Sequence, residues 1–269
     1  MKILENLSLN SEDIEVQTSK FRWIYNYNEY CLDEVNLETM QTVSVEISAP
    51  IDDNWYTCIC YLPGNKSFCY RGNTMLDHIC GIAFIIDEDH KIQVLPSKII
   101  TIGYCATFCN NYVYMFGEFC LFRYDLVKRR WEKIIAKLGL SNFCTCISIN
   151  NMILVAWFDC EDIFIFDLRT CSFSSCPLEL GQHSTKVLCR SENAAFLIDF
   201  SGLIRESSKN NFYSWAIIGS CMTFDFAIFS VKVFYKNSWY FNIDNAIMKF
   251  NLEKKTVKRT NASISYPID

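Results

Sequence analysis

The feature that most constrains this chain is a repeat of 42 residues. Asp125 in RYDLVKRRWEKI, Asp167 in FDLRTCSF, Lys209 in SSKNNFYSW and Asn251 in FNLEKKTV follow one another at that interval. Six positions after each comes a bulky or β-branched apolar residue: Trp131, Phe173, Trp215 and Val257. A second mark precedes the first. Asn111, Asn151, Asn193 and Asn237 each stand just ahead of an apolar or aromatic run, and Asn65 in PGNKSFCY adds a further copy. Upstream, VNLETMQTV around Asn36 echoes the last unit.

Each unit reads as four short strands. A strand of small residues such as FCTCISI is followed by an Asn turn and an apolar strand such as MILVAWF. An acidic turn then leads to an alternating strand ending in Asp-Leu or Asn-Leu, and a polar turn to a last strand carrying the bulky residue. Strands divided by Asn, Asp and Gly turns make a meander. Four strands in a repeat of this length make a propeller blade. Blades crowd near the axis and splay outward, so inner strands need small side chains and outer strands need bulk. The third-strand Asp or Asn can bond its own backbone in the turn, and Trp131, Phe173, Trp215 and Val257 are expected to wedge neighbouring blades apart.

The expected fold is therefore all-β: a six-bladed β-propeller of four-stranded antiparallel blades. The blades fall at 20–47, 54–96, 101–136, 142–177, 183–219 and 224–260, within one domain spanning 20–269. Residues 1–19 form an N-terminal extension, because SEDIEVQTSK is too charged for a crowded inner strand. SISYP (Ser263 to Pro267) resembles CICYLP (Cys58 to Pro63), so the C-terminal strand is expected to supply the inner strand of blade one and close the ring. RWEKIIAKLGL is the one segment with a helical rival reading.

Composition supports strands and narrows the setting. The chain of 269 residues is 51% hydrophobic and 15% aromatic, which suits half-buried pleated surfaces. A net charge of −5 lacks the basic footprint of a nucleic-acid binder. Glu5 and Asn6 interrupt what a signal peptide would need, and no apolar run reaches membrane-spanning length. Fifteen cysteines in a chain of this size read as thiols in a reducing, cytoplasmic compartment.

The stretch NNYVYMFGEFCLFRYDLVKRRWEKI, an apolar strand running into Gly117 and then aromatic-Asp-Leu, a short turn and Trp, resembles the kelch repeat. The layout extends over the six blades, but the Gly pair typical of kelch units is absent: Gly117 is followed by Glu118. The resemblance implies a binding module without cofactor. Kelch-like propellers commonly meet partners on the face carrying the turns between strands two and three and the blade-to-blade loops.

Little in the sequence suggests catalysis. Cys58 and Cys60, like Cys144 and Cys146, lie two apart on a strand and so share a face. The two pairs fall at matching places two blades apart, where Cys acts as a small apolar filler rather than a zinc ligand. His78 in DHIC has no orienting third group in view, and His90 and His183 read as solvated or satisfied histidines. The inner strands TCICYL, GYCATF, FCTCISI, STKVLC and FAIFSV hold one charge, Lys186, which is poor material for acid–base work.

The turns differ in charge by face. Those between strands two and three carry Glu29, Asp77, Glu118, Asp159, Glu161, Asp162, Asp199 and Asp244. Those between strands three and four carry Lys91, Lys128, Arg129, Arg130, Arg169, Lys209, Lys254 and Lys255, with Glu38 the exception. The acidic face is the expected surface for another protein, in particular a basic segment of it. A propeller enzyme acting on a sugar or small metabolite and a permanent structural subunit of a larger assembly are the competing readings.

Overall fold

The computed structural model describes residues 17–27, 29–46, 55–73, 80–96, 103–117, 120–135, 144–158, 160–178, 186–199, 201–221, 223, 231–243 and 246–264. Every element named in them is a strand. The first sheet holds β1 (Lys20–Tyr27), β2 (Glu29–Asn36) and β3 (Gln41–Glu46). The second holds β4 (Trp55–Leu62), β5 (Lys66–Asn73), β6 (Cys80–Ile86) and β7 (Ile92–Val94). The third holds β8 (Gly103–Cys109), β9 (Tyr112–Gly117), β10 (Leu121–Asp125) and β11 (Arg130–Ile135). The fourth holds β12 (Cys144–Ile149), β13 (Met152–Trp157), β14 (Asp162–Asp167) and β15 (Ser172–Pro177). The fifth holds β16 (Lys186–Arg190), β17 (Ala194–Asp199), β18 (Leu203–Ser208) and β19 (Ala216–Ser220). The sixth holds β20 (Lys232–Tyr235), β21 (Ser238–Ile243), β22 (Ala246–Asn251) and β23 (Thr256–Ser263).

All six sheets are antiparallel meanders, and apolar clusters join each to the next. One cluster unites Phe68 and Tyr70 of blade two with Val113 and Met115 of blade three. Others join blades three and four, four and five, and five and six. A further cluster draws Val233 and Tyr240 of blade six together with Phe21 and Leu32 of blade one and Ile59 of blade two. The sheets therefore close into a ring, a six-bladed β-propeller.

The two sequence marks have a shared mechanism. Asn110 and Asn111, Asn150 and Asn151, and Lys236 and Asn237 all have positive φ, as two-residue hairpin turns of primed type require. Asn tolerates that left-handed conformation better than most residues. The Asp or Asn ending the third strand folds back on its own turn: Asp125 Oδ1 accepts from the N–H groups of Val127 and Lys128, and Asp167 Oδ1 from that of Arg169. The marks also meet. Leu126 N–H donates to Asn111 O at 3.1 Å, Leu168 to Asn151 O at 2.9 Å and Leu252 to Asn237 O at 3.2 Å. The first–second and third–fourth turns of a blade thus share one face of the disc.

The bulky residues six positions on pack between blades. Trp131, opposite Tyr124 in the ladder, reaches Phe68 of blade two with ring centroids 5.9 Å apart. Phe173, opposite Phe166, meets Phe116 of blade three at 6.4 Å. Trp215 precedes β19 by one residue and packs on the cluster of blades four and five, its Nε1–H donating to Phe212 O. Val257 packs on the cluster of blades five and six.

One expectation takes a different form, at the inner strand of blade six, and the helical rival reading falls. Arg130–Ile135, within the segment with a helical rival reading, is strand β11. The inner strand of blade six is KVFY rather than FAIFSV, most of which lies outside the described residues. Of the C-terminal SISYP, Ser263 ends β23, the outermost strand of blade six, opposite Ala246; Ile264 is buried with Phe21 and Leu32 of blade one, and 265–267 lie outside the described residues. The Ser263 carbonyl accepts from Thr42 Oγ1 of β3, the outermost strand of blade one. At the inner side it is Gln17 that bridges Phe234 of β20 in parallel, and Ser19 O takes the N–H of Leu37 as the Asn carbonyls do elsewhere. The remainder of 1–19 and residues 265–269 lie outside the described residues.

Candidate functional site

On the second–third turn face, the side chain of Glu29 and all of Asp77, Glu118, Asp159 and Asp244 lie outside the described residues. Glu161 is exposed, and Asp162 is half-buried at the start of β14. Asp199 is a correction: it is buried, not displayed. Its carboxylate accepts from Leu203 N–H at 3.1 Å and from Ser201 Oγ, and it forms an ion pair with Arg205. A buried guanidinium needs a counter-charge, and the tight turn at Gly202 brings the carboxylate to it.

The opposite face is less uniformly basic than its residue count implies. Lys91 pairs with Asp89, Lys128 with Asp125, Arg130 with Glu132 and Lys255 with Glu206. Glu38, the lone acid expected there, is matched by Lys236 at 2.7 Å.

Near the axis the inner strands carry two lysines where the sequence reading found one. Lys186 donates to the carbonyls of Trp157, Phe158 and Cys160, capping the end of β13 on the neighbouring blade. Lys232 was missed because KVFY is short and the apolar FAIFSV competed for its place. Its ammonium reaches Thr145 Oγ1 of blade four at 2.9 Å and Leu188 O of blade five at 2.7 Å. Both ammonium groups hold blades together.

The cysteine pairs do sit two blades apart, but Cys105 of the blade between comes within 2.9 Å of Cys144, sulfur to sulfur. Thirty-nine positions separate these residues, so no local pattern reveals the contact. Burial pushes the thiols of Cys58, Cys105 and Cys146 well above their ordinary value, which keeps them protonated and weakly nucleophilic. Among the described residues no group of three His, Cys, Asp or Glu side chains is arranged to hold a metal ion. His90 is a satisfied histidine, its Nε2 3.1 Å from Glu34 Oε2 in a structural cluster with Lys20 and Arg22. His78 and His183 lie outside the described residues. No helix among the described residues is long and apolar enough to cross a membrane.

No protein-family model matches the chain, and no curated protein does. Solved structures do share its fold. One, described as YCF48 bound to D1 peptide, matches with a TM-score of 0.56 at 10% identity, over 93% of this chain and 84% of that one. At that identity the likeness speaks for the fold alone. The kelch relation remains a resemblance of layout.

Proposed function

We propose that this propeller is a non-enzymatic interaction module that binds another protein. The observation that carries the reading is the ring itself: six meanders set their turns side by side on two broad faces, while the inner-strand lysines are engaged in joining blades. A propeller of similar fold has been solved with a peptide bound. The finer reading puts a basic segment of the partner on the face of the second–third turns and blade-to-blade loops, supported by exposed Glu161 and half-buried Asp162 and, from the sequence alone, by Glu118 and Asp159. Acids gathered on one face raise the encounter rate of a cationic segment and select its orientation. The reducing, cytoplasmic setting expected from the cysteine count belongs to the same proposal.

Affinity purification from the native cell, with mass spectrometry of what is retained, identifies the partner. Glu118→Lys, Asp159→Lys and Asp162→Lys together should then weaken its binding without lowering the melting temperature. Unchanged affinity and unchanged salt dependence in that triple variant would remove the acidic face from the proposal.

A further inference from the structure

The first–second turn face holds a cleft of about 370 Å³ between blades two and three. Its volume falls at the small end of ligand pockets, enough for one or two side chains. Leu95, Phe108 and Leu126 give it an apolar lining. Lys66 and Arg129, both exposed, stand at it from the two blades. Neither makes an ion pair with a described residue, while the acids of the adjacent turn, Glu88 and Asp89, are held by Asn65 and Lys91. Tyr124 also lines the cleft: it is 1% exposed, its hydroxyl is enclosed, and the Arg129 guanidinium stands beside that hydroxyl.

From this combination we infer that the cleft binds an extended segment of a partner protein that places a bulky apolar side chain next to a carboxylate. The apolar side chain enters between the blades. The carboxylate meets Lys66 and Arg129, and the fork of the Arg129 guanidinium suits a two-point contact. The inference rests on the interaction-module reading but concerns the other face and the opposite charge, so the propeller would present two docking surfaces of different preference.

The test is a fluorescence-polarisation titration of the full chain. One labelled probe is a short peptide alternating Leu and Phe with Asp and Glu; its control has Asn and Gln in place of the acids. The acidic probe should bind, more weakly as salt rises, and the control should bind about tenfold less well or worse, as loss of charge-assisted hydrogen bonds requires. Lys66→Glu combined with Arg129→Glu should weaken the acidic probe by a similar factor, and Leu126→Asp should do so independently. The double variant should keep the wild-type melting temperature, which separates binding from folding. Lys254→Glu, on another blade of the same face, should change nothing. Equal binding of both probes, retention of the acidic probe by the double variant, or its displacement by an equal concentration of free hexanoate would each overturn the assignment. Should the native partner still be captured by the double variant, the interaction-module reading survives and the cleft is discarded.

Discussion

The junction between blades two and three and the one that closes the ring, between blades six and one, each bury an apolar cluster, but their outer strands are built from different materials. At the first, Trp131 lies against Phe68, Phe122 and Tyr124, with ring centroids 5.0 to 6.4 Å apart. At the second, the residue opposite Val35 in the matching place is Thr42, which is exposed and donates to Ser263 O. Glu38 adds contacts to Tyr235 and Lys236, and Gln17 a single backbone bridge. Between blades one and two the wedge is reduced to Ile92, opposite Ile86. There Arg22 crosses the junction, donating to Glu34, Ser67 Oγ and the carbonyls of Asn65, Ile86 and Asp87. Apolar wedges are strong but indifferent to small slides, whereas hydrogen bonds fix register. The blade with only three described strands is the one flanked by directional contacts on both sides.

If that contrast is right, the wedge should matter most. Trp131→Ala is expected to cost about 3–5 kcal/mol, as other large-to-small core changes do. Trp131→Phe should cost no more than about 1.5 kcal/mol, since it keeps a ring in place. It also removes an indole N–H that is buried without a partner. Urea denaturation of the two variants checks the pair; near-equal losses would mean that Trp131 acts through something other than filling space.

Arg22→Met comes next, with an expected loss of about 3 kcal/mol from stranding buried partners. Its linked carboxylate gives the junction a pH signature. Burial pushes Glu34 up, but hydrogen bonds from Lys20 and Arg22 and the charge of Arg22 more than offset this, holding the carboxyl below its ordinary value of 4.5. A depressed native value stabilises the fold fully above that pH, and the contribution drains as pH falls through the native value. The melting temperatures of wild type and Glu34→Gln should therefore differ at neutral pH and converge below 4.5. A gap that persists in acid would detach Glu34 from the clamp.

The sequence makes the wedged half of this comparison legible and hides the polar half. Trp131, Phe173 and Val257 recur at fixed spacing, and the Asx turns that precede them are local, so six blades and their bounds emerge to within a few residues for most blades. Arg22 sits in KFRWIYNY, where an alternating strand gives no sign that one basic side chain is 1% exposed. Apart from Glu34, the partners of its guanidinium come from blade two, more than forty positions away. The contact of Cys105 with Cys144 and the cleft between blades two and three are missed for a like reason, since each joins side chains of different blades. The inward turn of Asp199 is different: its partners Ser201, Leu203 and Arg205 are local, and an acid in a turn reads as exposed until its buried counter-ion is seen.

Smaller effects should mark the closing junction. Thr42→Val removes one exposed hydrogen bond and is expected to cost about 0.5–1 kcal/mol. Glu38→Gln should be milder still. Hydrogen bonds from Lys236 and Tyr235, together with the charge of Lys236, hold the Glu38 carboxyl below its ordinary value, but this group is fully exposed and screened by solvent. Its contribution should be visible in low salt and fade as ionic strength rises, whereas the deficit of Trp131→Ala should be insensitive to salt. Thermal melts of both variants across a salt series decide the matter. If the Glu38→Gln deficit survives high salt, the ring closes through a contact as dry as the wedge, and the contrast between the two junctions is lost.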